Sequence, residues 1–165
     1  MQLNVFRTLW GVTTPWQQTV SELQSVGCCG IEARLPLTTE EQRTLARRLE
    51  ASALQYIAIV FSGGGVIPAQ AETPAQHLER LKERFAAAKA LNPRFVNLLA
   101  GNDRWPLAQQ VDFLGRAHEL AAEYELLCSF ETHRATSLYS PWLTLEIIQQ
   151  LPQLRFTADI SHWIV

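Results

Sequence analysis

Residues 55–61 read QYIAIVF, a segment of strand length in which the last six positions, Tyr56 to Phe61, are all apolar. A strand that faces water on one side alternates apolar and polar residues, whereas a strand of a parallel sheet is covered on both faces. The segment therefore predicts a strand within a parallel sheet, with helices packed on one face and a filled interior on the other.

Segments of strand length recur along the chain and are separated by stretches of helical periodicity. Six strands are predicted, at Leu3–Leu9, Gly30–Leu35, Gln55–Phe61, Phe95–Leu99, Leu126–Glu131 and Arg155–Asp159. They are separated by about 25 to 40 residues, as βαβ units require. Five helices fill the intervals and no linker interrupts them, so residues 1–165 are predicted to form a single α/β domain.

Four predicted helices carry signals for their first residues. Thr14-Pro15, Thr73-Pro74 and Ser140-Pro141 each place a hydroxyl side chain before a proline, the arrangement of an N-cap followed by the first helical residue. Thr38 and Glu41 have the spacing of a capping box. Helices are expected to begin at these four positions.

The composition is that of an ordinary globular domain, with 47% hydrophobic residues, 18% charged residues and a net charge of −2. No run of Lys and Arg predicts a nucleic-acid surface, and no apolar run approaches the length of a membrane span. Neither nucleic acid nor membrane is expected as a partner. Cys28, Cys29 and Cys128 lack a CxxC spacing, which favours a reducing, cytoplasmic location.

Two architectures fit the alternation of strands and helices: a doubly wound open sheet, or part of an eight-stranded barrel. The periodicity does not separate them. A doubly wound nucleotide-binding sheet would carry a glycine-rich turn after its first strand, where this chain has Trp10-Gly11-Val12. The cluster Gly63-Gly64-Gly65 follows the third strand and has neither GxGxxG spacing nor a P-loop lysine, so a flexible loop is expected there.

The most informative polar residues lie at the ends of the fifth and sixth strands. Because side chains alternate along a strand, Ser129 and Glu131 share one face, as do Thr157 and Asp159. If that face is the inner one, the two carboxylates converge, at a desolvation cost that a divalent cation would offset. Such oxygen ligands suit Mg²⁺, Mn²⁺, Co²⁺ or Zn²⁺ alike. The alternative is a surface cap or salt bridge.

These strand ends resemble the xylose-isomerase-like TIM barrel family, which includes sugar phosphate isomerases and epimerases and, more distantly, endonuclease IV. The resemblance lies in Phe130-Glu131-Thr132-His133 together with Asp159-Ile160-Ser161-His162-Trp163. It implies a parallel (β/α) barrel in which Glu131 and Asp159 bind the metal. It also implies that His162 contacts the substrate or a second metal.

The same resemblance implies a histidine from strand seven and a glutamate from strand eight, and the sequence stops at Val165 before either. We therefore expect a C-terminally truncated barrel with about six of its eight βα units. A divalent metal (Mn, Mg, Co or Zn) is expected to be weakly bound or absent. An oligomer formed through the open sheet edges is also expected, because unpaired edge strands seek partners.

Several other residues are candidates for smaller roles. Trp10 could form the wall of a sugar-sized pocket or simply pack in the core, and His133 could orient the nearby carboxylate, touch the substrate or be a plain loop residue. Glu32 is expected as a polar residue of the barrel interior. His77 and His118 fall within helices and are expected to face solvent.

The function implied by the resemblance is a metal-dependent isomerase or epimerase. It would act on a small sugar or hydroxy-carbonyl compound by proton transfer next to a metal-bound carbonyl, with Glu131 as ligand and acid/base, and would be impaired in a truncated chain. One alternative is a non-catalytic barrel remnant that acts as a binding or assembly module. A second is an endonuclease-IV-like DNA repair enzyme, which the absence of a basic surface disfavours.

Overall fold

In the computed structural model, which describes residues 3–164, strands and helices alternate strictly along the chain. The elements are β1 (Phe6–Thr8), α1 (Trp16–Ser25), β2 (Gly30–Arg34), α2 (Thr39–Ser52), β3 (Gln55–Phe61), α3 (Pro74–Leu91), β4 (Phe95–Leu99), α4 (Leu107–Glu123), β5 (Cys128–Glu131), α5 (Pro141–Gln150), β6 (Phe156–Thr157) and α6 (Ser161–Ile164). None of these helices is long and apolar enough to cross a membrane.

The six strands form one sheet with the order β1-β2-β3-β4-β5-β6, and every neighbouring pair is parallel. A doubly wound sheet reverses its strand order part-way across, whereas a (β/α) barrel adds each strand beside the last. The consecutive order therefore decides between the two predicted architectures. The fold is an incomplete parallel barrel, as predicted, and β1 and β6 are its edges.

The apolar core lies between the outer face of this sheet and the helices. Strand residues on that face, such as Ile31, Val60 and Phe130, are at most 1% exposed. They belong to the same core cluster as Phe85 of α3 and Phe113 of α4, which are also fully buried. The side chains that alternate with them face the barrel interior, and many of these are polar: Glu32, Asn97, Ser129, Glu131 and Thr157.

The helix starts agree with the sequence at some positions and differ at others. Thr38 and Thr73 each head a complete capping box. Ser140 is the N-cap of α5, but its hydroxyl makes no capping hydrogen bond. The prediction for Thr14 is wrong: the first helical residue of α1 is Trp16 and its N-cap is Pro15. The Thr14 hydroxyl shares a 2.9 Å hydrogen bond with the hydroxyl of Thr19 instead.

The two edge strands are shorter than predicted. The first covers Phe6–Thr8 instead of Leu3–Leu9, and the sixth covers Phe156–Thr157 instead of Arg155–Asp159. An edge strand has one neighbour, so its length is set by that single pairing. Asp159 lies beyond the last pair, and α6, which the sequence did not predict, follows at once.

His77 was expected to face solvent and is instead completely buried. Its ring packs edge-on against Trp105 and Phe113, with centroid distances of 4.8 and 5.7 Å. Its Nδ1 atom lies 2.9 Å from the hydroxyl of Ser62, and its Nε2 atom lies 2.9 Å from a carboxylate oxygen of Glu72. The ring thus joins α3 to the ends of β3 and of the loop that follows it.

The buried state of His77 generates a prediction about acid stability. Burial lowers the pKa of His77 from 6.5 to about 4, so the folded protein favours the neutral ring. The resulting stabilisation is present above pH 6.5 and is lost as the pH falls from 6.5 through about 4. It amounts to up to about 3 kcal/mol in the free energy of unfolding.

We expect His77→Gln to be less stable at pH 7 and to show a shallower pH dependence of the unfolding free energy between pH 6.5 and 4. Urea denaturation at a series of pH values measures this directly. Ala86→Gln introduces the same residue at an exposed position of α3 without removing a titratable group; it is the matched control and should keep the wild-type slope. An unchanged slope in His77→Gln would mean that other groups cause the acid sensitivity.

Candidate active site

A cavity of about 410 Å³ opens at the carboxyl ends of the strands, the end at which barrel enzymes carry their active sites. Its lining includes the five residues that the sequence analysis proposed for metal or substrate binding: Trp10, Glu131, His133, Asp159 and His162. Thr8, Glu32, Ile59 and Leu99 complete the lining. Glu32 was expected in the interior. The other three give no chemical signal in the sequence and line the cavity because of their strand positions.

Glu131, Asp159 and His162 form the centre of this cavity. Glu131 is the last residue of β5, Asp159 follows β6, and His162 lies in the short helix α6. Each offers one ligand atom, and these atoms all lie within 4.8 Å of one another. The two carboxylates therefore converge, as expected if both strands turn these positions inward, and the three groups are close enough to surround one ion.

The charge around Glu131 is strongly unbalanced. Burial raises the pKa of Glu131 to about 7; a hydrogen bond from Asn97 opposes the rise, and the negative charges of Glu32 and Asp159 add to it. Within residues 3–164, neither Glu32 nor Glu131 has a Lys or Arg partner at ion-pair distance. A half-buried carboxylate with two like-charged neighbours is an environment that a divalent cation fits.

Asn97, on β4, is a central residue of the site that the sequence did not reveal. It is 2% exposed, and its Nδ2 atom donates to both Glu32, at 3.0 Å, and Glu131, at 2.8 Å. Its Oδ1 atom is buried without a partner. The amide holds one oxygen of each carboxylate in place. For Glu131 this is Oε2, which leaves Oε1 free to bind an ion or a proton.

Asp159 is held by the first residue of the helix that follows it. Its Oδ1 atom accepts from the backbone amide of Ser161 at 3.0 Å and from the Ser161 hydroxyl at 2.5 Å. The hydrogen bond from the Ser161 side chain lowers the pKa of Asp159, so this carboxylate stays ionised. Its Oδ2 atom lies 3.6 Å from Nε2 of His162 and accepts no hydrogen bond from any residue of the described range 3–164.

Arg134 determines which ring nitrogen carries the hydrogen in two neighbouring histidines. Its Nε atom donates to Nδ1 of His162 at 2.9 Å, and because a guanidinium cannot accept, a neutral His162 carries its hydrogen on Nε2. Its backbone carbonyl lies 2.6 Å from Nδ1 of His133, and because a carbonyl cannot donate, that nitrogen carries the hydrogen. The two rings lie 3.8 Å apart.

The hydrogen bond from Arg134 bears on what His162 can do. In the neutral ring, Nδ1 accepts from Arg134, so Nε2 carries the hydrogen and offers a donor to the cavity; this nitrogen could bind a metal only after losing that hydrogen. His133 is 8% exposed and makes no hydrogen bond to Glu131. It supports the His162 ring and does not orient the carboxylate.

Trp10 is 51% exposed and forms one wall of the cavity, so it is not packed in the core. It follows β1 in a short turn that contains Gly11, whose φ of 72° is open to glycine at little cost. The exposed indole therefore stands over the same space as the carboxylates.

The family described as "Xylose isomerase-like TIM barrel" matches residues 20–165. The chain belongs to this family. Members of this family share the parallel (β/α) barrel. The resemblance predicted from the ends of the fifth and sixth strands of this chain is thereby confirmed as a family relationship. No protein of curated function matches the chain by sequence.

Solved structures with the same fold include sugar epimerases of the xylose-isomerase-like family. A D-allulose 3-epimerase from Methylomonas sp., solved with D-allulose, has a TM-score of 0.73 and 15% identity, and the match covers 98% of this chain and 64% of that one. The probable 3-DHS dehydratase AsbF of Bacillus anthracis has a TM-score of 0.71 and 16% identity, with coverage of 98% and 65%.

A third similar structure is the IolI protein "with a binding zinc atom", with a TM-score of 0.68, 14% identity and coverage of 91% of this chain and 59% of that one. At such identities the likeness shows the fold alone. The xylose-isomerase-like chain described here spans about two thirds or less of the length of each of these three proteins.

The cluster predicts a weak, pH-dependent site for a divalent cation. Three protein ligands at most leave several positions to water, so we expect Mn²⁺ to dissociate readily. Affinity should fall between pH 8 and pH 6, because the proton on Glu131 competes with the ion and its pKa is about 7. Asp159→Ala should weaken binding at least about 10-fold.

Isothermal titration with Mn²⁺ at several pH values measures both effects. Asp112→Ala, on the exposed face of α4, is the control and should bind as the wild type does. Micromolar or tighter affinity that survives Asp159→Ala would contradict the proposed site.

Proposed function

We propose that this chain carries the metal-binding part of an isomerase or epimerase that acts on a small sugar or hydroxy-carbonyl compound by proton transfer at the carbon next to a carbonyl group. The observation that carries the proposal is the convergence of Glu131, Asp159 and His162 in one cavity at the carboxyl ends of parallel strands. The sugar epimerases among the structures of the same fold support it. Since the chain spans about two thirds of those proteins, the activity of the whole remains a proposal.

Glu131 and Asp159 are the residues that would hold a divalent cation. The fit rests on the convergence of their oxygens, the absence of a basic partner for Glu131 and its raised pKa. Such a cation would stabilise the negative charge that develops on the carbonyl oxygen and the neighbouring hydroxyl oxygen of the substrate when a proton leaves the carbon that bears the hydroxyl group. Zn²⁺, Mn²⁺, Mg²⁺ and Co²⁺ all suit this donor set.

Glu131 is the proposed acid/base. Without a cation the pKa of Glu131 is about 7, and a cation held beside it would lower that pKa, so the carboxylate is ionised and able to accept a proton at neutral pH. Asn97 holds Oε2, so Oε1 is the oxygen that accepts the proton. Glu32, held by the same amide, keeps its charge close to Glu131 and so helps to maintain the raised pKa.

His162, His133 and Trp10 are the proposed substrate-binding residues. The Nε2 hydrogen of His162 can donate to a substrate oxygen, and the exposed indole of Trp10 offers an apolar wall for the carbon skeleton. His133 lies against the His162 ring and limits its rotation. The site thus has one base, one hydrogen-bond donor and one wall.

A binding or assembly module is the second candidate function. It is favoured by an exposed apolar face on α5, where Trp142 is 78% and Leu145 50% exposed, and by the open edges of β1 and β6. Association of copies through those edges stays a prediction. For a DNA repair enzyme, the cavity would have to accept phosphates beside Glu32, Glu131 and Asp159, which their charge disfavours.

Solvent exchange tests the proton transfer itself, even if complete turnover is slow. We expect the chain, saturated with Mn²⁺ in D₂O, to incorporate deuterium next to the carbonyl of a ketose such as D-fructose or D-allulose. Glu131→Gln should reduce the rate by about 10²-fold or more, because the amide cannot accept the proton.

Nuclear magnetic resonance of the sugar measures the exchange. Glu119→Gln, which changes an exposed carboxylate on α4, is the matched control and should exchange at the wild-type rate. If no ketose exchanges with the wild-type chain at any Mn²⁺ concentration, the binding-module candidate is favoured instead.

Arg134→Gln should affect the site without removing any group that contacts substrate. The variant loses the donor that fixes the His162 tautomer, so the ring can place its hydrogen on either nitrogen. We expect kcat for exchange to fall by about 10-fold with a smaller change in KM, and Arg134→Lys to restore part of the loss. ¹⁵N chemical shifts of the His162 ring should show the tautomer change. Unaltered shifts in Arg134→Gln would refute this role.

A further inference from the structure

Arg34, the last residue of β2, lies two residues after Glu32 and therefore on the same inner face of the sheet. Its guanidinium carbon lies 4.0 Å from the centroid of the Trp10 ring and 5.5 Å from that of Phe61. The side chain is exposed. Within residues 3–164 it makes no ion pair with an Asp or Glu and no hydrogen bond through its guanidinium.

Arg34 lies next to the active-site cavity. Trp10 and Ile59 line that cavity and also line a second one, of about 510 Å³, whose lining includes Arg34. One indole therefore separates the guanidinium from the space around the carboxylates. A substrate that lies along Trp10 would extend from the carboxylate cluster at one end towards Arg34 at the other.

A second arginine nearby, Arg84, already uses its guanidinium in hydrogen bonds to the backbone. Arg34 and Arg84 both line a further cavity, of about 260 Å³, beside Gly64 and Gly65. Arg84, however, is half-buried and donates to the backbone carbonyls of Phe61 and Gly63. Arg34 is the one of the two that has its donors free.

Stacking on aromatic rings prepares Arg34 to bind an anion. Contact with an indole face restricts the plane of a guanidinium but leaves the N–H groups at its edge free. Those edges match the oxygens of a carboxylate or phosphate in a two-point geometry. A free, oriented guanidinium beside a cavity rich in carboxylates also offsets the repulsion that these carboxylates would exert on an anionic substrate.

We propose that Arg34 is a specificity-determining residue that binds an anionic group, a carboxylate or a phosphate, at the end of the substrate remote from the reacting carbon. The proposal rests on the proposed function, because it requires that a single ligand binds Arg34 at one end and reaches Glu131 with its carbonyl end. It narrows the substrate class from small sugars in general to those that carry a terminal negative charge.

Calorimetric titration of the full chain with three ligands tests this: D-fructose, D-fructose 6-phosphate and D-fructuronate. We expect one or both of the anionic ligands to bind at least about 10-fold more tightly than D-fructose, as charge-assisted hydrogen bonds would give. The two anionic ligands distinguish phosphate from carboxylate recognition. Arg34→Gln should abolish the preference, and Arg34→Lys should keep only part of it, because ammonium lacks the planar fork.

Arg116→Gln, at an exposed position of α4, is the matched control and should keep the full preference. Equal affinity of the wild type for all three ligands would overturn the proposal, as would a preference that Arg34→Gln retains. Circular dichroism of each variant shows that it is folded.

The two proposals fail separately. The same titrations without Mn²⁺, and with Glu131→Gln, should retain the preference for the anionic ligand, because Arg34 does not touch the carboxylate cluster. If D-fructose undergoes exchange and no anionic preference exists, the anion site is wrong and the isomerase function stands. If the Arg34-dependent preference exists and no ligand exchanges its proton, the anion site stands and the isomerase function is wrong.

Discussion

The two faces of the sheet have different partners, and the rest of the molecule depends on this difference. On the outer face, Val60, Leu98 and Phe130 are buried in one core with Phe85 of α3 and Phe113 of α4. Truncation of a buried phenylalanine to alanine typically costs about 3–5 kcal/mol, so this core fixes the positions of β3, β4 and β5 firmly. The inner face does not have to contribute to that core, which leaves it free to carry polar side chains.

Polar residues on the inner face have a cost of their own, and it is visible at Glu131. The strands that place Asn97 where it can hold two carboxylates also bury Glu131, and this burial, with a smaller contribution from the charges of Glu32 and Asp159, raises the pKa of Glu131 to about 7. A protein that only needed stability would not cluster three carboxylates in a half-buried cavity. Such a cluster is the kind of environment that a bound cation would stabilise, which is why the proposed function places a divalent cation there.

Features that follow from position along one element could be predicted from the sequence. The apolar run at 55–61 predicted the parallel sheet. The alternation of side chains predicted that Glu131 and Asp159 converge only if they face inward, and the fold brings them together although Asp159 lies beyond β6. Contacts with another part of the chain could not be predicted. The burial of His77 was not predicted, because the aromatic pocket of Trp105 and Phe113 that surrounds it forms only in the folded chain. The hydrogen bonds of Asn97 and Arg134 were not predicted either, because they join residues of different elements. The lengths of the edge strands β1 and β6 were predicted wrongly for a similar reason, because each length is set by pairing with a single neighbouring strand.

The segment after β5 shows how one residue can give two neighbouring histidines different hydrogen-bonding atoms. Arg134 presents a donor, its guanidinium, to Nδ1 of His162 and an acceptor, its backbone carbonyl, to Nδ1 of His133. His162 therefore keeps a hydrogen on Nε2, whereas His133 keeps a lone pair there, although the rings are only 3.8 Å apart. Burial also lowers the pKa of His133, so it adds no positive charge beside Asp159. The two rings therefore present different atoms at Nε2, a donor on His162 and an acceptor on His133, and Arg134 sets this difference from a single position in the chain.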